Sequence, residues 1–413
     1  MTTVAVVGGG VAGLVAARRL AMGGVDVTLF EASSRLGGTV AFHTVGGVVL
    51  DSGAESFAIR RGTVAALATE LGLASEIVSP SPTPAWLYRS TGAVSLPQTS
   101  FLGIPGVPLA SDVVAVVGPG TAFRAYLETL LPGLYGARSR TLGELVRTRM
   151  GSRMLEQLVA PVTLGVHSRH PDDLELDRIA PTLRGALRSE GSLARAVRSL
   201  RDSAPAGSAV QGVRGGVHRI VDELVADLSR LGVTIALERS LPLGPVDGFD
   251  HTVIAAASPE GATDVHIVTL VVDAPSLDAA PRGTGVLVAP GTDIHAKALT
   301  HSTAKWPWLA ERAGGKHVLR LSFDALPTLE IARLDAAALL GVDLPESAVL
   351  DSAFARWSRP ASVVPAAVDG VTVIGQAVSG TGLAAVVGFA ESAARDLLVS
   401  FEESDEDEAD QAH

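Results

Sequence analysis

The stretch VAVVGGGVAGLVAARRL, Val4–Leu20, decides the fold. An apolar run that ends in glycines and passes into a helical pattern is typical of a parallel strand that enters a tight turn. We therefore predict a strand over Thr3–Val7, a helix over roughly Val11–Met22 and a second strand in VDVTLFEA. Together these elements would form the start of a βαβ unit.

Three glycines in this stretch, Gly8, Gly10 and Gly13, follow the spacing G-x-G-x-x-G. Glycines at this spacing permit a tight turn, close approach of the backbone to a pyrophosphate and close packing of helix on strand. Glu31 ends the second strand 18 residues after Gly13, where a carboxylate can bind a ribose diol and would repel a 2′-phosphate. The pattern predicts a dinucleotide site, and a glycine-rich turn without a ligand is the alternative.

A second glycine pair helps to decide which dinucleotide is bound. Gly37 and Gly38 follow Arg35 in SSRLGGTVAF, shortly after Glu31. They would let the chain pass close to the far half of a long cofactor such as FAD, which a plain NAD site does not require. An ordinary hairpin is the alternative interpretation of this pair.

The composition limits the classes of function. The 413 residues suffice for two or three domains, and 47% hydrophobic residues with a mean hydropathy of +0.34 suffice for sizeable cores. A net charge of −11 argues against nucleic acid as the main partner. The chain has no cysteine, which excludes disulfides and thiolate chemistry and is compatible with the cytoplasm. We expect neither a leader nor a spanning helix, and peripheral membrane contact stays open.

The remainder of the chain changes character several times. The segment 79–120 is rich in Pro, Ser and Gly without a convincing long helix, and helical patterning resumes near Thr121. The segment 141–202 predicts short helices broken at Pro161, Pro171 and Pro181. GGVHRIVDEL predicts a helix that precedes a strand, and HTVIAAASP predicts a buried strand. The segment 265–324 alternates like a sheet, and a last helix is predicted after VTVIGQAVSGTG.

We therefore predict an α/β (α+β) fold with a Rossmann-like FAD-binding domain, a discontinuous mixed-sheet substrate domain and a helical subdomain. The FAD-binding domain would comprise 1–78, 205–260 and 360–401. The helical subdomain would span 79–204 and the substrate sheet 261–359. The acidic residues 402–413 would form a disordered tail.

Several segments resemble one family in content and in order. ASSRLGGTV and LDSGAESF resemble the flavin-binding segments of the protoporphyrinogen and coproporphyrinogen oxidases, within the flavin amine oxidase superfamily. The resemblance continues through LYRSTGAVSLP, LVAPVTLGVHSRHPDDLEL, VRGGVHRIVDEL, STAKWPW and GQAVSGTGLAAVVGFAESAARDL. The chain is rich in arginine and poor in lysine, which favours the bacterial coproporphyrinogen version of the family.

The resemblance implies that FAD is the cofactor and assigns it a set of positions. Trp357 resembles a tryptophan beside the cofactor, and a plain core residue is its alternative. Leu241 resembles the position whose backbone contacts adenine, and the residues before the last helix would stabilise charge on the reduced flavin. The full set is Gly8, Gly9, Gly10, Val11, Ala12, Gly13, Glu31, Ala32, Arg35, Gly38, Thr39, Gly53, Ala54, Glu55, Ser56, Leu241, Trp357, Thr381, Gly382 and Leu383.

The activity implied by the resemblance is FAD-dependent oxidation of coproporphyrinogen III to coproporphyrin III in haem biosynthesis. Hydride would pass from the porphyrinogen to the flavin N5 and its two electrons then to molecular oxygen, which becomes H2O2, and this would be repeated until six electrons are removed. No catalytic acid, base or metal is implied, and the chain has neither metal-ligand spacing nor a G-x-S-x-G elbow. Arg60 and Arg61 resemble the cationic position that meets the substrate carboxylates, with solvated arginines as the alternative.

Two further sets of basic side chains each have two possible interpretations. Lys305 resembles a recurrent lysine of the family and could also be a plain sheet-edge residue. A group of helical arginines would either be solvated or attract tetracarboxylate substrate or anionic lipid. These arginines are Arg178, Arg184, Arg188, Arg195, Arg198 and Arg201.

The chain looks shorter than the family over 238–284 and 357–371. These losses leave three functions open. The first is the porphyrinogen oxidase, with peripheral membrane contact or hand-over to a ferrochelatase. The second is another flavin oxidase or desaturase of the superfamily, and the third is a non-catalytic porphyrin-binding partner protein. The sequence alone does not decide whether the substrate is coproporphyrinogen or protoporphyrinogen.

Overall fold

The structure is a computed structural model that describes residues 2–59, 62–167, 169–202, 210–361 and 368–411. The chain divides into two compact units. The first unit comprises Met1–Ser79, Ala209–Val265 and Ala355–His413, and the second comprises Pro80–Ser208 and His266–Phe354.

Strands and helices are interspersed along the described residues. The strands are β1 (Thr3–Val7), β2 (Asp26–Phe30), β3 (Phe42–Val45), β4 (Val48–Asp51), β5 (Phe57–Ala58), β6 (Ile77–Val78), β7 (Trp86–Arg89), β8 (Gly92–Ser95), β9 (Ser100–Phe101), β10 (Ile104–Pro105), β11 (Val210–Val213), β12 (Thr234–Ala236), β13 (His251–Ile254), β14 (Thr263–Val272), β15 (Gly285–Val288), β16 (Ala298–His301), β17 (His317–Phe323), β18 (Val349–Arg359) and β19 (Val371–Val373). The helices are α1 (Val11–Met22), α2 (Thr63–Glu70), α3 (Ser111–Tyr126), α4 (Leu142–Met150), α5 (Ser152–Met154), α6 (Ala160–His167), α7 (Leu176–Ile179), α8 (Leu183–Glu190), α9 (Leu193–Asp202), α10 (Arg219–Arg230), α11 (Ser302–Lys305), α12 (Pro307–Ala313), α13 (Leu329–Leu340), α14 (Gln376–Ser379) and α15 (Leu383–Gln411). None of these helices is both long and apolar enough to cross a membrane.

A parallel sheet of five strands organises the first unit, in the order β12-β2-β1-β13-β19. β1 lies at its centre because its residues are apolar on both faces, as a doubly covered parallel strand requires. α1 is buried along most of its length and shares one apolar core with α2, α10 and α15. The predicted strand Thr3–Val7 and helix Val11–Met22 are thereby confirmed.

The second unit combines a mixed sheet with a group of short helices. The sheet has the order β18-β14-β17-β16-β15-β7-β8, and β15 pairs with β7 in parallel. One face of this sheet packs with α13 in a core that includes Leu319 and Leu339. The helices α3 to α9 enclose a separate core around Leu145 and Leu158. A parallel Rossmann-like sheet, a mixed sheet and a helical part confirm the predicted fold class.

The helical pattern begins earlier than predicted. α3 starts at Ser111, ten residues before Thr121, because Val113, Val116 and Val117 are buried at helical spacing. Gly118 has a non-helical backbone, and α3 is kinked there. Pro119 follows at the start of the second helical piece, where proline is tolerated.

Pro161 does not end a helix, although Pro171 and Pro181 do separate helices as predicted. A π-helical turn, Leu155–Val159, directly precedes α6, which contains Pro161. A proline ring clashes with the carbonyl four residues earlier in a regular α-helix. The wider turn before Pro161 provides room for the ring, and the chain stays helical.

Two other segments differ from the sequence expectation. The segment 265–324 contains the expected strands but also α11 and α12, with Pro307 at the first position of α12, which suits proline. Residues 402–411, for which disorder was expected, continue α15 to Gln411. A helix that is already packed extends at low cost, because each added residue gains a hydrogen bond without a new nucleus.

Candidate dinucleotide site at the carboxyl edge of the parallel sheet

The carboxyl ends of four parallel strands bring the predicted site residues of the first unit to one edge of the sheet. β1 leads into Gly8, β2 into Glu31, β13 into Ala255 and β19 into Ile374. Parallel α/β sheets bind their ligands at this edge. The first unit therefore has its candidate site here.

The three motif glycines differ in what surrounds them. Gly8 has a φ of +111°, and a Cβ there would lie 2.9 Å from the amide nitrogen of Ala256. A Cβ on Gly13 would overlap the carbonyl oxygen of Gly8, so this glycine allows α1 to pack on β1. A Cβ on Gly10 would meet no atom of the described residues within 4 Å. The fold therefore does not need glycine at position 10, whereas a ligand that lies against the turn would.

The N-terminus of α1 lies beside the glycine turn. Gly10 is its N-cap and supplies no side-chain acceptor, and within the described residues no side chain caps the helix. Val11, Ala12 and Gly13 are buried, and their amides belong to the first turn, where the helix dipole favours an anion. An open turn beside these amides fits a pyrophosphate, so the residues present agree with a dinucleotide.

Glu31 is held in place by three hydrogen bonds from the chain. Its Oε2 accepts from the amide of Gly9 at 2.7 Å, and its Oε1 accepts from the amide and the hydroxyl of Ser33 at 2.8 and 2.7 Å. Ala32, the next residue, is exposed. A fixed carboxylate with lone pairs to spare is suited to a ribose diol.

The residue expected at adenine follows a segment whose backbone pairs with Glu31 and Ser33. The amide of Arg239 donates to the carbonyl of Glu31 at 2.9 Å, and the amide of Glu238 donates to Ser33. Leu241 follows two residues later and is half-buried. No helix lies between β13 and β14 in the described residues, in agreement with the shortened family segment.

The second glycine pair packs against the first. The amide of Gly37 donates to the carbonyl of Gly9 at 2.8 Å, and Gly37 forms a parallel bridge with Gly10. A Cβ on Gly38 would lie 3.3 Å from the Cα of Gly10. The hairpin alternative is therefore wrong for this pair, and the β3–β4 hairpin comes after it.

A small-residue turn after β4 joins the same edge. The amide of Ala54 donates to the carbonyl of Thr39 at 3.3 Å, and a Cβ on Gly53 would overlap that carbonyl. The Nε1 of Trp357 donates to the carbonyl of Ser52 at 3.2 Å. Glu55 and Ser56 follow the turn and are half-buried.

Arg35 connects the glycine pair with this turn. Its Nη1 donates to the carbonyl of Gly38 at 3.1 Å, and its guanidinium lies 5.7 Å from the centre of the Trp357 ring. Trp357 therefore connects Arg35 with the turn after β4, and its place beside a cofactor stays a prediction.

Asp51 is a site-organising residue that the sequence did not single out. Its Oδ2 accepts from the amide of Val217 at 2.8 Å, and its Oδ1 accepts from the amide of His218 at 3.0 Å. The Nδ1 of His218 lies 2.8 Å from the same Oδ1. The carboxylate thereby ties LDSGAESF to VRGGVHRI at the N-terminus of α10. Both motifs were identified, but no local signal indicates that they touch.

The segment after β19 contacts the first glycine turn at Gly375. A Cβ on Gly375 would lie 3.7 Å from the Cβ of Ala12 and 3.3 Å from the carbonyl of Ala255. Thr381 and Gly382 are exposed immediately before α15, which starts at Leu383. α15 then packs along α1, where Arg19 forms a 2.6 Å ion pair with Glu391.

The remaining sequence candidates lie outside the described residues or in the second unit. Arg60 and Arg61 lie outside the described residues. Of the helical arginines, Arg184 is structural, because it pairs with Asp177 and donates to the carbonyls of Ala137 and Ser139. Arg178, Arg188, Arg195 and Arg198 are exposed, and Arg201 donates to the carbonyl of Gln98. Lys305 ends α11 in the second unit, 5.1 Å from the Trp306 ring.

The HPDDLEL block is a structural element of the second unit. Asp172 accepts a hydrogen bond from Arg147 at 2.7 Å, which lowers the pKa of its carboxyl group below the usual value. The same residue lies against Gly143 in α4, where a Cβ would overlap its carboxylate. Asp172 therefore holds this block against α4.

Comparison with known proteins gives consistent results. Residues 11–242 match the family model described as flavin containing amine oxidoreductase. A coproporphyrinogen III oxidase of Mycobacterium leprae is 32% identical over 351 residues, which are 77% of this chain and 76% of the relative. The Staphylococcus aureus protein of the same name is 24% identical over 77% of each chain.

Solved structures share the fold. A provisionally named protoporphyrinogen oxidase of Exiguobacterium sp. 255-15 superposes with a TM-score of 0.79 at 22% identity, over 97% of this chain and 99% of that one. A putrescine oxidase superposes with a TM-score of 0.64 at 14% identity, over 96% and 99% of the two chains.

Proposed function

Because this chain belongs to the flavin-containing amine oxidoreductase family, we propose that it oxidises coproporphyrinogen III to coproporphyrin III with molecular oxygen. Membership makes the protein an FAD-dependent oxidoreductase, and its relatives include porphyrinogen oxidases. The single observation that supports the substrate is the 32% identity, over three quarters of both chains, with a coproporphyrinogen III oxidase.

The first unit is, in this proposal, the FAD-binding part. The amides of the first turn of α1 would hold the pyrophosphate, and Glu31 would hold the adenosine ribose. The backbone near Leu241 would contact adenine. Arg35, Thr39 and the turn Gly53–Ser56 would lie along the flavin half, with Trp357 holding that turn in place. Thr381–Leu383 would place the α15 dipole near the flavin ring.

FAD supplies the hydride acceptor and its reoxidation by oxygen. The chain itself then has to bind the substrate, orient it against the flavin and shield the reacting atoms. In this proposal no described residue of the candidate site is needed as an acid or base. The second unit would bind the macrocycle, and Arg60 or Arg61 would meet its carboxylates. Six electrons leave the substrate in this reaction, and each oxygen molecule that accepts two of them becomes H2O2.

The second candidate is another flavin oxidase or desaturase of the superfamily. Putrescine oxidase has the same fold, and at 14% identity this likeness shows the fold alone. The third candidate, a porphyrin-binding protein without turnover, draws support from the short connection between β13 and β14. The shortened segment 357–371 lies partly outside the described residues.

One preparation of purified protein separates the three candidates. Flavin absorbance measures cofactor retention, and oxygen-dependent porphyrin fluorescence from coproporphyrinogen III or protoporphyrinogen measures turnover. We expect yellow protein that turns over coproporphyrinogen faster. Yellow protein inert on both porphyrinogens would favour the second candidate, and colourless protein that binds porphyrin would favour the third. The cytoplasmic location, peripheral membrane contact and hand-over to a ferrochelatase stay predictions.

A further inference from the structure

The imidazole of His218 is fixed by its surroundings in the first unit. Its Nδ1 lies 2.8 Å from the Oδ1 of Asp51, and the two side chains are 9% and 4% exposed. Phe42 packs on the ring, with the two ring centres 4.8 Å apart. The ring also lies so close to Gly216 that a Cβ there would meet its Nδ1 and Cε1 at 2.4 Å. These contacts hold the ring in one orientation.

The hydrogen bond to Asp51 determines which ring nitrogen carries the proton. A carboxylate only accepts hydrogen bonds, so the Nδ1 of His218 donates to Asp51. In the neutral imidazole the Nε2 is then an unprotonated acceptor. No described residue forms a hydrogen bond with this Nε2, although about nine tenths of the side chain is buried. Its lone pair is therefore available to a ligand.

The fold alone does not require an imidazole at position 218. Asp51 already holds the start of α10 through the amides of Val217 and His218, at 2.8 and 3.0 Å, and these bonds need no side chain there. Gly216 has a φ of +118° and leaves room for the ring. A carboxylate that orients a histidine is typical of histidines that act through their other nitrogen.

The neighbours of His218 belong to the segments that the proposed function assigns to the flavin half of FAD. Val221 lies one turn later on the same face of α10, and a Cβ on Gly37 would be 3.1 Å from its Cγ1. On the other side, Asp51 comes directly before the turn at Gly53. His218 therefore adjoins both the second glycine pair and the turn after β4.

We propose that His218 is a further cofactor-binding residue, whose Nε2 accepts a hydrogen bond from the flavin half of FAD. That half offers suitable donors, namely the imide N–H of the ring system and the hydroxyls of the ribityl chain. The hydroxyls of the adenosine ribose have Glu31 as their acceptor in the proposed function. The inference rests on that orientation of FAD and not on the proposed substrate.

Two substitutions separate the contributions of the two ring nitrogens. His218→Asn keeps an N–H donor near the position of Nδ1 but removes Nε2, so the apoprotein should keep its thermal midpoint and bind FAD about fivefold more weakly. His218→Leu removes both nitrogens, so both the midpoint and the affinity should fall. Calorimetric titration of the apoprotein measures the affinity. His295→Gln, at an exposed histidine of the second unit, is the matched control and should change neither.

Titration with ADP locates the contact on the cofactor. ADP shares the adenosine and the pyrophosphate with FAD but has no flavin half, so the native protein and His218→Asn should bind ADP equally. Native protein labelled with 15N-histidine gives a second readout. The Nε2 resonance that the variants lack should shift when FAD binds and should stay in place when ADP binds.

The inference is overturned if His218→Asn binds FAD as tightly as the native protein, since the imidazole then serves Asp51 alone. It is also overturned if the variant loses affinity for ADP and FAD alike, or if the Nε2 resonance responds equally to both. Protein that binds FAD but does not oxidise coproporphyrinogen would refute the proposed substrate and leave these titrations decisive, so the two failures are distinguishable.

Discussion

The carboxylate of Glu31 lies 2.7 Å from the amide nitrogen of Gly9, so the acid at the end of β2 contacts the glycine turn at the end of β1. This contact joins the two parts of the dinucleotide motif, which are separate in the sequence. It leaves the carboxylate fixed before any ligand binds, and fixed groups bind at a smaller entropic cost.

Glu31→Gln should therefore weaken FAD binding. The variant replaces a charged acceptor by a neutral amide, and hydrogen bonds to charged groups are worth about 1.5–3 kcal/mol, which corresponds to about tenfold to a hundredfold in affinity. Titration of apoprotein with FAD, followed by flavin fluorescence, measures the change. Glu260→Gln, an exposed acid of the same unit, should bind normally. A change of less than about twofold for Glu31→Gln would contradict the role.

Gly10→Ala and Gly13→Ala should separate ligand binding from folding. The new Cβ at position 10 would meet no atom of the described residues within 4 Å, and the backbone there has a φ of −71°. Gly10→Ala should therefore keep the thermal midpoint of the apoprotein but lose FAD affinity about tenfold or more. The Cβ at position 13 overlaps the carbonyl of Gly8, so Gly13→Ala should fold poorly. Thermal melting and FAD titration on both variants give the comparison. An unstable Gly10→Ala would show that we have misjudged the open turn.

Trp357→Phe should loosen the turn at Gly53. The variant keeps an aromatic face for Arg35 but loses the hydrogen bond to the carbonyl of Ser52. Loss of one such bond costs about 1 kcal/mol, so FAD affinity should fall about fivefold and the visible circular dichroism of bound flavin should change shape. Trp86→Phe in the second unit serves as the control. An unchanged flavin spectrum would leave Trp357 as a packing residue.

The sequence predicted those parts of the structure that local physics determines. The glycine turn, β1 and α1 follow from residues within twenty positions of one another, and all are found. Asp51 and His218 are 167 positions apart, and Trp357 and Ser52 are 305 apart, so no local pattern joins them. Pro161 shows the converse error, since a rule for regular helices fails where a π-helical turn makes room.

Arg149→Leu should destabilise the second unit severely. It leaves Glu128 as an unpaired buried charge, which typically costs about 3–5 kcal/mol. The double variant Arg149→Leu with Glu128→Leu should recover only part of this, because the amides of Leu193 and Ala194 also lose their acceptor. Urea unfolding followed by circular dichroism measures both. Full recovery in the double variant would show that these amides find other partners.

Stability should fall on acidification because of His301. Burial, with a smaller contribution from the neighbouring His317, lowers the pKa of His301 from 6.5 to about 4. Between these values the unfolded chain binds a proton that the folded chain does not, so the stabilisation is complete above pH 6.5 and is lost as the pH falls toward 4. The shift corresponds to about 3 kcal/mol.

His301→Gln keeps a donor for the Nδ1 of His317, 3.1 Å away, but cannot titrate. The urea midpoint of the native protein should therefore fall more steeply between pH 7 and 5 than that of His301→Gln, while His295→Gln, at an exposed histidine, controls for the loss of an imidazole. Parallel profiles for the native protein and His301→Gln would show that His301 is protonated at the same pH in both states.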